Sequence, residues 1–244
     1  AAETGLAAGT PVSIGTIDAA AEALSVGVTS PGDMLLMYGS TIFIIEVTDH
    51  RLREPKLWYA PWLFQGQHAL MSGLATSGTL SHWFREQFAK ELGDDAVSVL
   101  AREAAKSPAG ANGVVLLPYF SGERTPIHDT NAKGMIFGLN LTHTRGDIYR
   151  ALFEGIAMGT RHVLETYETA GAPPRAVYAA GGGTQNTVWV QATSDASGQA
   201  QIMREKTIGA SYGDAFLAAR AVGDPRLEDI RQWKTVTPEI LRRP

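Results

Sequence analysis

The sequence predicts an α/β domain built on a mixed sheet flanked by helices. Short runs rich in β-branched and aromatic residues alternate with segments of helical apolar periodicity, and glycine-rich turns sit at the joints. Bulk agrees with this: 244 residues, 44% of them hydrophobic and 19% charged, suffice to bury a sizeable core in one compact unit. There is no internal repeat and no low-complexity linker to divide it.

In chain order, residues 11–15 read as a strand and 18–27 as a small-residue helix ending near Gly27. Residues 34–38 and 42–48 read as two strands, joined as a hairpin by Gly39-Ser40-Thr41. Residues 57–62 form an aromatic-rich strand or connection. Two helices follow over 79–92 and 94–106, the second opened by an Asp94 cap and closed before Pro108. Residues 114–117 return as a strand and lead into a polar loop whose turns are fixed by Gly122, Pro126, Gly134 and Gly138. Thr144 and Asp147, in capping-box spacing, start a helix whose apolar face runs Ile148, Ala151, Leu152, Gly155, Gly159 and Val163. Residues 176–180 form a strand, followed by Gly181-Gly182-Gly183 and a helix over about 186–196. Residues 202–204 are extended, 211–222 helical, and a last amphipathic stretch surrounds Leu227, Ile230 and Trp233.

Composition narrows the function classes. A net charge of −4 with no dense Lys/Arg run argues against nucleic acid or an anionic membrane as the main partner. With zero cysteines there is neither a disulfide nor a Cys-containing metal site. No run is apolar enough to span a bilayer, and the first residues lack the basic and apolar regions of a signal peptide, so a cytoplasmic setting is expected. No His/Asp/Glu cluster has metal-ligand spacing, so no protein-built metal site is expected.

Several short motifs can carry chemistry. Asp18 stands where a strand gives way to a helix; alone, it serves as a helix cap. Gly39-Ser40-Thr41 offers two hydroxyls and unhindered N–H groups suited to phosphate oxygens, although most such tripeptides merely close hairpins. Ser77-Gly78-Thr79 opens a helix with small residues, a start that favours an anion, and His82 one turn on reads equally as an exposed histidine. Gly181-Gly182-Gly183-Thr184-Gln185-Asn186 follows a strand and precedes a helix, yet lacks the third glycine and the distant acidic residue of a dinucleotide fingerprint, which excludes NAD or FAD. Asn186 also suits the cap of the next helix. Trp58 and Trp62 could stack on a sugar ring, and Glu123, Arg124 and Asp129 are expected to form an ion network shaping the polar loop.

The most specific signal lies in residues 117–157. Gly134-x-Ile136-x-Gly138-Leu139, a spacer, and Asp147-Ile148-x-x-Ala151-Leu152-Phe153-Glu154 resemble the second signature of the FGGY carbohydrate kinases. Ser121-Gly122-Glu123-Arg124-Thr125-Pro126 is similar to the xylulokinase-type branch, and residues 4–12 followed by Gly15-x-x-Asp18 resemble the run into the family's catalytic aspartate. The resemblance covers about residues 4–223.

It implies an RNase H-like (actin-like ATPase) domain that uses ATP with Mg²⁺ to phosphorylate a sugar or polyol hydroxyl. Asp18 would accept the proton of that hydroxyl. Gly39, Ser40 and Thr41 would form a phosphate-binding hairpin, Gly78 and His82 would lie near ribose and phosphates, and Gly182, Gly183 and Asn186 would meet the purine. No Asp-x-Gly-Thr hairpin precedes Asp18. The resemblance therefore implies that residues 1–244 are the C-terminal, nucleotide-binding half, partnered by an N-terminal sugar-binding domain; a homodimer is compatible with it. One departure stands out: Ala19, Ala20 and Ala21 follow Asp18 where many members carry Asn or Gln, leaving fewer contacts to the sugar. Two alternatives stand beside the kinase: an actin- or Hsp70-like ATPase without a small-molecule acceptor, and a non-catalytic sugar- or nucleotide-binding relative.

Overall fold

A computed structural model of the chain describes residues 3–204, 209–223 and 230. Its helices are α1 (Asp18–Val26), α2 (Gly78–Phe88), α3 (Ala96–Lys106), α4 (Arg145–Thr169), α5 (Thr187–Ser197) and α6 (Ala210–Ala221). Its strands are β1 (Asp33–Tyr38), β2 (Ile42–Thr48), β3 (Trp58–Pro61), β4 (His68–Leu74), β5 (Val115–Leu117), β6 (Met135–Phe137), β7 (Ala176–Ala180) and β8 (Gln201–Met203). A six-stranded sheet runs β3-β4-β2-β1-β7-β8, and β5 and β6 form a separate ribbon. β1 pairs antiparallel with β2 and parallel with β7, so the large sheet is mixed.

Alternation along the central strands divides the interior in two. Leu36, Ile42 and Ile44 face a core completed by α2–α5, where Phe84, Leu100, Phe153, Val163 and Tyr167 are buried. Leu35, Ile45 and Val47 face the other side, where they meet Ala20, Ala23 and Val26 of α1. Period-2 burial on both faces of β1 and β2 is what a central strand requires. α6 lies over α1: Phe216 packs with Leu24 and Ile230, and Gly213 sits against the Ala21 carbonyl, an approach that leaves no room for a side chain. Among the described residues, no helix is long and apolar enough to cross a membrane.

α4 starts as its sequence requires. The Thr144 N–H donates to Asp147 Oδ2 at 2.7 Å while the Asp147 N–H donates to the Thr144 hydroxyl at 3.3 Å, closing the capping box. Ser107 and Asn112 also donate to Asp147 Oδ1, at 2.6 and 2.8 Å, so the start of α4 is tied to the end of α3. These bonds, the Ser107 hydroxyl first, hold the Asp147 carboxyl well below the usual carboxylate range.

Three expectations need correction, and two strands went unread. Residues 11–15 are not a strand: Val12 and Ile14 stand exposed, and among the described residues no strand pairs with the segment. The helix expected over 79–92 stops at Phe88, and a 3-10 turn over Lys90–Asp95, with Gly93 at φ 53°, separates it from α3. α3 begins at Ala96; its N-cap is Asp95, whose side chain makes no capping bond, so Asp94 is not the cap. Two strands, β4 and β6, escaped the sequence reading altogether. In the tail stretch Ile230 is buried, while Leu227 and Trp233 lie outside the described residues.

Candidate active site

β1 and β7 run side by side in parallel with Met37 opposite Ala180, so the turns that follow them meet at one end of the sheet. Ligands bind open α/β sheets in such crevices beyond the carboxyl ends of parallel strands. Gly181, at φ 92°, is held there by space as well as conformation, because a Cβ would lie 2.5 Å from the Tyr38 carbonyl oxygen.

The first turn of α2 docks onto the Gly39-Ser40-Thr41 turn through backbone. The N–H groups of Ser77 and Thr79 donate to the Ser40 carbonyl at 3.2 and 3.1 Å, and that of Gly78 donates to the Gly39 carbonyl at 3.0 Å. The Ser77 and Thr79 hydroxyls donate to the same two carbonyls at 2.9 and 3.0 Å. The sequence suggested that this helix start would offer its donors to an anion; instead these five are spent inside the protein. The anion-facing capacity sits in the turn itself, where neither the Ser40 nor the Thr41 hydroxyl has a hydrogen-bond partner among the described residues.

A cavity of about 660 Å³ opens beside this junction, a size suited to a small-molecule ligand. Tyr38, Gly39, Ser40, Gly78, Ser81, His82 and Arg85 line one part of it. Asp94, Val97, Ser98, Leu100 and Ala101 line another, and Tyr149, Phe153, Gly182, Gly183, Gln185, Asn186 and Trp189 complete it. Its aromatic side is rigid: Tyr38 meets Trp189 edge-on at 4.9 Å, and Phe153 stacks on Trp189 at 5.3 Å. Behind Trp189 the Tyr38 hydroxyl donates to Gln201 Oε1 at 2.6 Å, and Gln201 Nε2 donates to the Val190 carbonyl and Ser194 Oγ. Burial pushes the Tyr38 hydroxyl far above the usual tyrosine range, so it remains a neutral donor.

The glycine-rich turn divides its work. A Cβ on Gly182 would meet nothing within 4 Å, whereas one on Gly183 would lie 2.5 Å from the Trp189 ring and 2.9 Å from the Tyr38 Cβ. Gly182 thus presents bare backbone to open space, and Gly183 is a packing necessity. Asn186 caps α5, its Oδ1 accepting the Trp189 N–H at 3.1 Å. With one lone pair of Oδ1 committed to the cap, the side-chain NH₂ still has both its N–H groups to offer a ligand.

The cavity brings together seven of the residues singled out in the sequence: Gly39, Ser40, Gly78, His82, Gly182, Gly183 and Asn186. Thr41 lies in the same turn but outside the lining, and so does Asp18. Asp18 is exposed and is the first residue of α1, not its cap; Oδ1 accepts the Ala19 N–H at 2.7 Å. Trp58 is exposed on β3 and stacks on Phe43, while Trp62 is buried on the α1 side of the sheet; neither lines the cavity.

The ion network expected of Glu123, Arg124 and Asp129 does not form: no ion pair joins them. Glu123 is buried instead and Oε1 accepts the Ala75 and Arg124 N–H groups, each at 2.7 Å, which fastens the loop to the end of β4 just ahead of α2. Desolvation raises its carboxyl above the usual range despite those bonds. Among the described residues no group of three or more His, Cys, Asp or Glu side chains could hold a metal ion.

Sequence reasoning missed most of the remaining wall. Ser81 and Arg85, Val97 and Ala101, and Tyr149 and Phe153 reach the cavity as pairs four apart on three helices. That spacing is shared by every inward helix face, so it carries no signal of a ligand. Arg85 alone had a chemical marker, a cation; no carboxylate lies within ion-pair distance of it among the described residues.

Residues 34–222 match the FGGY family of carbohydrate kinases, C-terminal domain. The chain belongs to this family. It is 30% identical over 225 residues to xylulose kinase of Bacillus subtilis, covering 91% of this chain and 44% of that protein. It is 32% identical over 239 residues to ribulokinase of Anoxybacillus flavithermus, covering 91% and 42%. The crystal structure of xylulose kinase from Rhodospirillum rubrum superposes with a TM-score of 0.91 at 35% identity, over 100% of this chain and 49% of that one. The fold is therefore that of the actin-like ATPase domain of these kinases, and the chain spans about half the length of the relatives it matches.

Proposed function

We propose that the full-length protein transfers the terminal phosphate of ATP to a hydroxyl of a sugar or sugar alcohol, in the manner of a xylulokinase, and that residues 1–244 are its nucleotide-binding half. The observation that carries this reading is the cavity at the ends of β1 and β7, where two glycine turns remote in sequence flank one space of nucleotide size. In it the purine lies against the open backbone at Gly182, with Asn186 donating to a ring nitrogen. Gly183 shapes the turn by packing. The phosphates run towards the Gly39-Ser40-Thr41 turn, where the Ser40 and Thr41 hydroxyls are unspent, past Gly78 and His82, and Arg85 supplies positive charge.

Asp18 is the general base. Asp18 is the first residue of α1, which packs on the face of the sheet opposite α2–α5 and is joined to β1 by six residues. Its carboxylate, open to solvent in this half, receives the proton of the acceptor hydroxyl as that oxygen attacks phosphorus. Mg²⁺ would accompany ATP, held mostly by phosphate oxygens and water, and would neutralise charge on its phosphates.

A coupled assay of the full-length protein against a panel of ketoses and polyols tests the reading. ATP-dependent phosphorylation of at least one acceptor, lost on Asp18→Asn, is expected. Nucleotide binding without transfer to any acceptor would favour the non-catalytic alternative instead.

A further inference from the structure

Among the described residues that line the cavity, Asp94 alone carries a carboxylate, and the fold makes no use of it. It does not cap α3, whose N-cap is Asp95, and among the described residues no donor reaches its side chain and no cation pairs with it. The turn that carries it is nevertheless fastened. Arg145, at the start of α4, donates to the Phe88 carbonyl at the end of α2, to Glu91 in the 3-10 turn, and to both carboxyl oxygens of Glu103 on α3 at 2.7 and 2.9 Å. A carboxylate placed this firmly in a ligand cavity, with no donor from the protein, is the kind of polar group that sets ligand orientation and specificity.

α2 indicates which part of a nucleotide it meets. The helix starts on the Gly39-Ser40-Thr41 turn and lines the cavity at Gly78, Ser81, His82 and Arg85. At 1.5 Å per residue, its end at Phe88 lies roughly 15 Å from its start. Arg145 keeps Glu91 beside that end, and Asp94 follows three residues later, so it borders the part of the cavity remote from the phosphate turn. There its charge repels the phosphates least. The donor of an adenosine nucleotide most distant from the phosphates is the 6-amino group of the purine, while the ribose hydroxyls lie between.

On the nucleotide reading of the cavity, we infer that Asp94 selects the base: its carboxylate accepts a hydrogen bond from the 6-amino group of adenine. A purine with a carbonyl oxygen at that position is rejected, because two acceptors then face each other. Asn186 offers donors to the same base but cannot make this distinction alone, since a donor suits a ring nitrogen and a carbonyl oxygen alike.

The test is isothermal titration of ADP, inosine diphosphate and 2′-deoxy-ADP into the full-length protein as wild type, Asp94→Ala and Asp94→Asn. Inosine diphosphate carries oxygen in place of the 6-amino group. The wild type should prefer ADP to it by at least about tenfold, the scale of a hydrogen bond to a charged group. Asp94→Ala should bind ADP more weakly and inosine diphosphate more tightly, bringing the ratio towards one, and Asp94→Asn, which donates as well as accepts, should close the gap likewise. Opposite changes for two ligands are not produced by general damage to the fold. A wild type that binds ADP and inosine diphosphate equally overturns the inference alone, and so does a preference that survives in both variants. A 2′-deoxy-ADP to ADP ratio that shifts with Asp94 also overturns it, since the carboxylate then reads the ribose. A wild type that binds none of the three removes the nucleotide reading and this inference with it.

Discussion

The Gly78 N–H donates to the Gly39 carbonyl at 3.0 Å, and a Cβ on Gly78 would lie 2.5 Å from that same oxygen. The first turn of α2 and the β1–β2 turn are therefore one rigid body, and their closeness depends on a missing side chain. Gly78→Ala must push the turn away, because the neighbouring atoms are backbone. A loss of about 1–3 kcal/mol in unfolding free energy is expected from such overpacking. Nucleotide affinity should fall with it; a variant with unaltered melting and unaltered affinity would show that the junction yields freely.

Asp18→Asn in the full-length protein should lower turnover by about a hundred- to ten-thousand-fold while leaving nucleotide affinity nearly unchanged, as expected for a general base acting on the acceptor. Steady-state kinetics together with titration of a nonhydrolysable nucleotide measure both quantities. Near-normal turnover would return Asp18 to a local role at the start of α1.

Glu46 supplies a pH test remote from the cavity. It is 1% exposed on β2, one carboxyl oxygen is unbonded, and burial pushes its pKa from 4.5 to about 8, against a smaller opposing effect of Arg175. The folded state thus keeps a proton that the unfolded chain loses, so the stability linked to it is full below about pH 4.5 and falls as pH rises to about 8. Glu46→Gln should melt higher than the wild type by a margin that grows from pH 5 to pH 8, a few kcal/mol at most. A margin constant across that range would mean the carboxyl is not protonated in the fold.

Residues 1–244 alone should not phosphorylate any ketose or polyol, even with Mg²⁺ and ATP. Phosphoryl transfer requires acceptor, metal and phosphate to be held in line, and this half leaves Asp18 facing solvent. Saturable sugar phosphorylation by the isolated chain would mean that a complete acceptor site lies within it.

Much of this was legible in the sequence where local chemistry and fold agree. Thr144 and Asp147 announced the start of α4, Gly39-Ser40-Thr41 the hairpin, and Asn186 the cap of α5. β4 was not legible, because His68, Ser72 and Gly73 break the apolar run; a Cβ on Gly73 would strike the Ile42 carbonyl, so the strand's identity is set by its neighbour. Conversely, Val12 and Ile14 have strand-like composition but no strand partner among the described residues. The loop of Glu123 misled for a related reason: its charges suggested ion pairs, whereas the carboxylate serves backbone amides that only the fold brings near. The cavity's aromatic and helical lining is tertiary, and no short window contains it.

The proposed nucleotide site is tested most directly at Gly182, which lines the cavity and whose added Cβ would meet no protein atom within 4 Å. Isothermal titration of a nonhydrolysable ATP analogue, with Mg²⁺, into wild-type protein and Gly182→Val compares a free and an obstructed purine face. Saturable wild-type binding is expected, weakened at least tenfold in a variant that melts within a few degrees of it. No binding by the wild type, or equal affinity in a folded Gly182→Val protein, would contradict the account.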